Sequence, residues 1–254
     1  MERLIFDSHA HYDDAKFGGD RDALLSGLPE KGVCGVITCG CDLASSRAAL
    51  ALAERYDYIY AAVGVHPENL ESSDFLPALE KLSENGKCVA IGEIGLDYYW
   101  DREHKAEQLE TFEKQLILAN KLGLPVIVHD RDAHSDTLEL LKKHRPQGVV
   151  HCFSGSPETA EEILRIGMYI GVGGVITFKN ARRLPEAVCK IPAERLLVET
   201  DCPYLAPEPF RGKRCDSSMI SHTARRIAEI RNVGEEEILR QTKANAQKLF
   251  LKKF

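Results

Sequence analysis

A short apolar run near the start of the chain ends in two histidines, in the stretch Ile5-Phe6-Asp7-Ser8-His9-Ala10-His11. On an extended strand, residues two apart point to the same side, so the imidazoles of His9 and His11 can aim at one point. Neutral imidazole is a common ligand for transition metals. The stretch therefore predicts a first strand with a metal site at its carboxyl end, although two polar turn residues would give the same spacing.

The composition is that of an ordinary globular chain, because 44% of its 254 residues are hydrophobic and 28% are charged. We expect one α/β domain that spans residues 1–254. No apolar run approaches the ~20 residues that cross a bilayer, and the N-terminus lacks the pattern of a signal peptide. We therefore expect a cytoplasmic protein without a membrane segment, in which the eight cysteines are reduced and structural or incidental.

The net charge is −6, from 33 basic and 39 acidic residues. Such a balance argues against a broad surface that coats nucleic acid without specificity. It leaves room for a local basic groove, and for a bound metal that itself supplies the positive charge an anionic substrate needs.

Short apolar runs alternate with helical patterns along the whole chain. Eight runs have the length and continuity of parallel strands buried on both faces: residues 3–7, 33–39, 58–64, 87–93, 125–129, 147–152, 168–172 and 195–199. Helical patterns occupy residues 42–55, 71–85, 103–121, 135–144, 157–166 and 181–190, with two more helices in the tail from Ser217 to Phe254. This alternation predicts a (β/α)8 TIM barrel with extra C-terminal helices, and a doubly wound open sheet is the alternative.

In such a barrel the catalytic groups lie at the carboxyl ends of the strands. Residues of metal-binding type follow five of the predicted strands: His9, His11, Glu93, His129, His151 and Asp201. A lone histidine after a strand is usually a hydrogen-bonded loop residue, but ligand-type residues after five strands are hard to ascribe to chance. The sequence therefore predicts a metal centre at one rim of the barrel.

The residue types suggest how two divalent cations would be held. Glu93 belongs to two ligand sets, because its carboxylate can give one oxygen to each ion. The first set adds His9, His11 and Asp201, and the second adds His129 and His151. Two such cations, about 3.5–4 Å apart, can share a hydroxide nucleophile and clamp an oxyanion. Glu93 and Asp201 are therefore the predicted catalytic residues, and Asp201 would accept the proton of the attacking water. Mg, Mn and Zn all remain open as the metal.

Asp7 lies two residues before His9, and the sequence leaves two roles open for it. Its carboxylate either accepts a hydrogen bond from an imidazole or is a buried strand-end group satisfied by backbone amides. Cys39 and Cys41 could bind a soft metal, but no second cysteine pair has the spacing of a four-thiolate zinc site.

Longer motifs surround these candidate ligands, at residues 5–13, 125–133 and 191–207, with shorter ones at 64–67, 92–98 and 151–155. The most specific includes Leu197-Val198-Glu199-Thr200-Asp201-Cys202-Pro203. Together the motifs make the chain resemble a TatD-family metal-dependent hydrolase, a TIM barrel of the amidohydrolase-like superfamily. The resemblance covers nearly the whole chain and implies that the six candidate ligands are those of the family.

The resemblance also implies an activity, because members of this family often act on DNA as 3′–5′ exonucleases or endonucleases. We therefore expect a deoxyribonuclease whose partner is DNA with single-stranded or nicked ends, and no obligate protein partner. The alternative is an amidase, esterase or deacylase for a small molecule or aminoacyl-tRNA, which the acidic net charge favours slightly. A metal-binding protein without activity is a third hypothesis, against which the complete set of ligand types argues.

A phosphodiester substrate needs cationic or hydrogen-bond-donating groups that face the metal centre, and aromatic rings can stack on its bases. The candidates for substrate binding lie in rim loops: His66, Tyr98, Arg131, His134, Phe153 and Lys179. Tyr99 and Trp100 are further candidates for stacking. Each of these residues could equally be a solvated loop charge or a ring that anchors a loop.

One departure from the family bears on the substrate. The family commonly has Arg-Gly-x-x-Asn after the final proline-rich loop, whereas here Arg211-Gly212-Lys213-Arg214 is followed by Cys215. We expect this loop to shape the substrate end of the pocket, so the missing asparagine puts substrate preference, but not metal ligation, in doubt.

Overall fold

The computed structural model describes residues 2–70 and 74–251. Eight parallel strands form one sheet, in which each strand pairs with the next along the chain. They are β1 (Ile5–Ala10), β2 (Val33–Cys39), β3 (Ile59–Val63), β4 (Cys88–Asp97), β5 (Val126–Arg131), β6 (Gly148–Val150), β7 (Tyr169–Val172) and β8 (Leu196–Val198). All eight predicted strands are present, with ends that differ by a few residues.

The segment that follows β8 returns to β1 and nearly closes the sheet. Ala10 pairs in parallel with Cys202, the Asp201 amide donates to the His9 carbonyl at 3.0 Å, and the His11 amide donates to the Cys202 carbonyl at 2.7 Å. Residues near both ends of the sequence therefore reach the same rim. The fold is the predicted (β/α)8 TIM barrel, and the open-sheet alternative is wrong.

Helices cover the outside of the barrel. They are α1 (Arg21–Gly27), α2 (Leu43–Arg55), α3 (Leu76–Ser83), α4 (Lys105–Leu122), α5 (His134–His144), α6 (Pro157–Arg165), α7 (Arg183–Lys190), α8 (Ile220–Arg231) and α9 (Glu235–Phe250). The sequence did not predict α1, whose seven residues are too few to show a helical period. The first residues of the helix predicted at 71–85 lie outside the described part of the chain.

Two apolar layers hold the barrel together. The larger one lies between the strands and the surrounding helices, and the smaller one fills the barrel interior. Leu249 and Phe250 of α9 pack on the interior layer, near the amino ends of β4 and β5, and so close that end. The carboxyl ends of the strands are left for the candidate site. Across residues 2–70 and 74–251, no helix is long and apolar enough to span a membrane.

Candidate metal centre

The end of β1 brings His9 and His11 to the mouth of the barrel. Their Nε2 atoms lie 3.0 Å apart, in agreement with the alternation of side chains on a strand. Behind them, at the end of β2, the Cys39 carbonyl oxygen is 3.0 Å from His11 Nδ1 and the Cys39 thiol is 3.5 Å from His9 Nδ1. Groups of β2 therefore orient both imidazoles, so that their Nε2 atoms face one point.

Glu93 of β4 lies in the middle of the cluster and presents a different carboxylate oxygen to each side. Oε2 is 3.3 Å from His9 Nε2 and 3.4 Å from His11 Nε2. Oε1 is 2.9 Å from His129 Nδ1 and 2.8 Å from His151 Nε2. This is the arrangement that a bridging carboxylate needs.

The backbone of β4 accounts for the position of Glu93. The pairing register between β4 and β5 shifts between Ile91 and Ile94, which breaks the regular alternation of side chains next to Glu93. Further along, Gly95 lies so close to β5 that an added Cβ would meet the His129 carbonyl oxygen at 1.9 Å. Glycine at this position therefore allows the two ligand-bearing strands to approach closely.

The spacing of the donor atoms tests whether the cluster can hold a cation. Ligands placed ~2.1 Å from a tetrahedral ion lie roughly 3.4 Å from one another. On one side of the cluster, His9 Nε2 and His11 Nε2 lie 3.0 Å apart, and each lies 3.3–3.6 Å from Glu93 Oε2 and from Asp201 Oδ1. His9, His11 and Asp201 are close enough to one another to hold one divalent metal ion, and both imidazoles also contact Glu93.

A second group of donor atoms surrounds the other oxygen of Glu93. His129 Nδ1 and His151 Nε2 are 3.4 Å apart, and both contact Glu93 Oε1. His66 joins them, because its Nε2 atom is 3.4 Å from the same oxygen and its ring packs edge-on against His129, with centroids 4.5 Å apart. The sequence assigned His66 to substrate binding, whereas the structure places it within reach of a metal-binding role as well.

Two carboxylates that the sequence analysis did not single out lie behind the second group. Asp97 Oδ2 is 2.9 Å from His129 Nε2, and Glu199 Oε1 is 3.7 Å from His151 Nδ1. Acidic partners of this kind orient metal-binding imidazoles and make them more basic. A signal was present, because Asp97 follows Glu93 by four positions within β4 and Glu199 precedes Asp201 by two positions.

Burial and mutual contacts set the charges of the cluster. Burial opposes protonation of His129, but hydrogen bonds to Asp97 and Glu93 raise its pKa to about 9. Burial likewise opposes protonation of His151, but the charge of Glu93 and the carboxylate of Glu199, 3.7 Å from Nδ1, raise its pKa to about 10. Burial would raise the pKa of Glu93, yet the surrounding imidazoles hold it well below its usual range. An ion bound here would displace protons from imidazole.

The Asp7 carboxylate contacts no imidazole among the described residues. Its carboxylate accepts hydrogen bonds from the backbone amides of His9 and Thr200 at 3.3 and 3.0 Å, from the Thr200 hydroxyl at 2.6 Å and from the Ser217 hydroxyl at 2.7 Å. The structure therefore favours the buried strand-end carboxylate of the two roles left open. Ser217 is fully buried, so this part of the loop without the family asparagine supports β1 and does not face substrate.

Two of the predicted substrate-binding residues are exposed. Arg131 ends β5, two residues after His129, and its guanidinium lies 4.0 Å from the ring centroid of Tyr99. Lys179 is also exposed and forms no ion pair with another residue in the described ranges.

The other predicted substrate-binding residues already have partners within the protein. Tyr98 is buried and its hydroxyl donates to Asp136 at 2.7 Å, whereas the Phe153 ring is buried in the apolar layer. His134 Nδ1 is 2.7 Å from an Asp130 oxygen. The rings of Tyr98 and Phe153 present no exposed face in this structure. Contact of these two residues with substrate stays a prediction.

Comparison with known proteins agrees with this site. The family described as TatD related DNase matches residues 6–251. YabD, an uncharacterised metal-dependent hydrolase of Bacillus subtilis, is 40% identical over 252 residues, 97% of this chain and 99% of YabD. A protein of Erwinia tasmaniensis named 3′-5′ ssDNA/RNA exonuclease TatD is 34% identical over 257 residues, 97% of this chain and 99% of its own.

A solved structure agrees as well. YjjV, a TatD homologue from Escherichia coli, superimposes with a TM-score of 0.93 at 35% identity and covers 99% of both chains. The fold, the donor cluster and the similarity over nearly the whole length lead to one conclusion: the chain belongs to the TatD-related DNase family of metal-dependent hydrolases.

Proposed function

We propose that this hydrolase is a nuclease that removes nucleotides from the 3′ end of single-stranded DNA. The observation that carries the proposal is the placement of Glu93, whose Oε2 contacts His9 and His11 and whose Oε1 contacts His129 and His151. Paired cation sites that share a carboxylate suit phosphodiester cleavage, because both the attacking and the leaving oxygen need stabilisation. Relatives named as 3′-5′ ssDNA/RNA exonucleases support the choice of substrate.

The proposed cofactors are two divalent cations, with Mg, Mn and Zn as the candidates. When bound, such ions polarise phosphoryl oxygens and lower the pKa of water towards neutrality. Glu93 would serve both ions. We assign His9, His11 and Asp201 to one ion, because the two imidazoles lie 3.4–3.6 Å from Asp201. We assign His129 and His151 to the other, because their nitrogens lie 3.4 Å apart beside Glu93 Oε1.

The two carboxylates differ in what they can do besides binding metal. The Asp201 side chain is 19% exposed, whereas Glu93 is 4% exposed. Burial would raise the pKa of Asp201, but contacts with His11 and His9 lower it, so Asp201 is ionised at neutral pH. We assign Asp201 as the acceptor of the proton from the attacking water, because it is ionised and reachable from solvent. Glu93 is enclosed and holds the two sides together.

The remaining candidates would hold the substrate. His66 and Arg131 carry donors that can contact a phosphate, one beside the metal centre and one at the open rim. We keep His134, Tyr98, Phe153 and Lys179 as proposed contacts of lower rank, because the first three already have internal partners and the fourth has no described contact with the centre.

The test is cleavage of a single-stranded oligonucleotide labelled at its 5′ end, with each cation in turn and with a chelator. We expect a ladder that shortens from the 3′ end, no cleavage with chelator, and loss of cleavage in Glu93→Gln. A matched control is Glu110→Gln, which removes a charge paired with Lys114 on the outside of α4. Failure to cleave any strand with any cation, combined with turnover of carboxylic esters or amides, would establish the alternative activity.

A further inference from the structure

Two aromatic rings stand exposed at the rim, directly after β4. Tyr99 is 55% exposed and Trp100 is 64% exposed. Most other large apolar side chains in the described ranges are buried, and Trp100 is the single tryptophan of the chain. The two rings are adjacent and packed edge to face, with centroids 4.8 Å apart. Exposed apolar surface of this kind marks interaction sites.

An unneutralised cation accompanies the rings. The Arg131 guanidinium lies 4.0 Å from the centroid of Tyr99 and 5.4 Å from that of Trp100. Within residues 2–70 and 74–251, Arg131 has no acidic partner, whereas Arg214 at the same rim is paired with Asp20 at 2.6 Å. Exposed aromatic faces beside a free guanidinium are the combination that binds single-stranded nucleic acid, through stacking on bases and attraction of phosphates.

The same turn is attached to the metal centre through Asp97. One oxygen of Asp97 accepts hydrogen bonds from the backbone amides of Tyr99 and Trp100, both at 2.9 Å. The other oxygen is 2.9 Å from His129 Nε2. The aromatic turn is therefore one side chain away from a predicted metal ligand, because the same carboxylate contacts both.

We propose that Tyr99, Trp100 and Arg131 form a stacking platform that holds an unpaired base of the substrate while Arg131 contacts the adjoining phosphate. The choice of substrate rests on the proposed nuclease function. The platform selects single strands, because a base inside a duplex has both faces covered by its neighbours and offers none to Trp100.

The first test is a binding measurement that does not depend on cleavage. Trp100 is the only tryptophan, so its intrinsic fluorescence reports directly on the platform. Metal-loaded wild-type protein is titrated with a phosphorothioate thymidine oligonucleotide, which resists cleavage, and with an abasic strand of equal length. We expect quenching by the first strand and little by the second, and about tenfold weaker binding of the first strand to Arg131→Ala.

A strand that binds by anisotropy without changing the fluorescence of Trp100 would overturn the platform. Ile117→Ala is the control, because Ile117 is 54% exposed on the outside of α4 and should not affect binding.

The second test is kinetic. Trp100→Ala should lower kcat/KM for an intact single strand by roughly tenfold or more, mainly through KM, and leave cleavage of the abasic strand unchanged. Trp100→Phe should recover most of the loss. An equal loss on both strands would refute base stacking. If wild type cleaves no nucleic acid, the nuclease proposal fails, and the fluorescence titration still decides whether the platform binds bases.

Discussion

The two halves of the metal centre use the same kind of side chain but support it differently. In the β1–β8 half (His9, His11 and Asp201), the imidazoles are backed by the neutral carbonyl and thiol of Cys39. In the β5–β6 half (His129 and His151), they are backed by carboxylates. Burial lowers the pKa of His9, whereas acidic partners raise the pKa of both histidines of the β5–β6 half. Identical ligands thereby become electrostatically unequal.

The largest effect should come from the residue that the halves share. Glu93→Gln removes a charge that faces both groups of imidazoles, so both ions should be held weakly and activity should fall by roughly 10³-fold or more. Elemental analysis of the dialysed variant measures the number of ions bound per chain, and circular dichroism verifies that the variant is folded. A variant that retained two ions per chain would refute the bridging role of Glu93.

The next effect separates the halves. His9→Ala/His11→Ala should empty the β1–β8 half first and leave the other ion bound through Glu93, because Oε1 keeps both of its imidazole contacts. His129→Ala/His151→Ala should do the reverse. About one ion per chain is expected in each double variant, by elemental analysis. Full occupancy of both sites in the first variant would contradict this division of ligands.

The unequal charges predict unequal pH dependence of metal binding. Because the pKa of His129 is raised to about 9 and that of His151 to about 10, both are protonated at neutral pH, and an ion must displace two protons. In the β1–β8 half the pKa of His11 is raised but that of His9 is lowered, so one proton is displaced.

Affinity of the β5–β6 half should therefore rise with pH up to about 9, at up to ~100-fold per unit, against ~10-fold for the other half. Calorimetry in buffers of different ionisation enthalpy counts the protons that each double variant releases when it binds a metal ion. Equal counts for the two halves would show that their charges do not differ in solution.

The smallest effects concern the supporting carboxylates. Asp97→Asn should weaken metal binding in the β5–β6 half by about 10–100-fold, because it removes the charge 2.9 Å from His129. Glu199→Gln should cost less, since Glu199 is 3.7 Å from His151. Competition with a chelating dye measures both, and Asp22→Asn, which changes an exposed pair with Arg55, is the control. A larger loss of metal affinity in Glu199→Gln than in Asp97→Asn would mean that the distance between carboxylate and imidazole does not decide the size of the loss.

Much of the fold and the approximate location of the site follow from local sequence patterns. Buried parallel strands carry continuous apolar runs, and all parallel strands end at the same rim, so residues that follow the runs must meet. For this reason the sequence could group all six candidate ligands without any knowledge of contacts: His9, His11, Glu93, His129, His151 and Asp201. The short helix α1 was missed because its length carries no period.

The sequence by itself determined that imidazoles and carboxylates gather at the carboxyl rim of a barrel, since strand period and strand direction are local properties. The tertiary structure alone decided which oxygen of Glu93 each imidazole faces, that His66 joins the cluster and that Asp97 supports His129. It also separated the buried ring of Tyr98 from the exposed ring of Trp100. These outcomes depend on the register shift in β4, the closure of β8 on β1 and the packing of neighbouring elements, which bring together residues far apart in the chain.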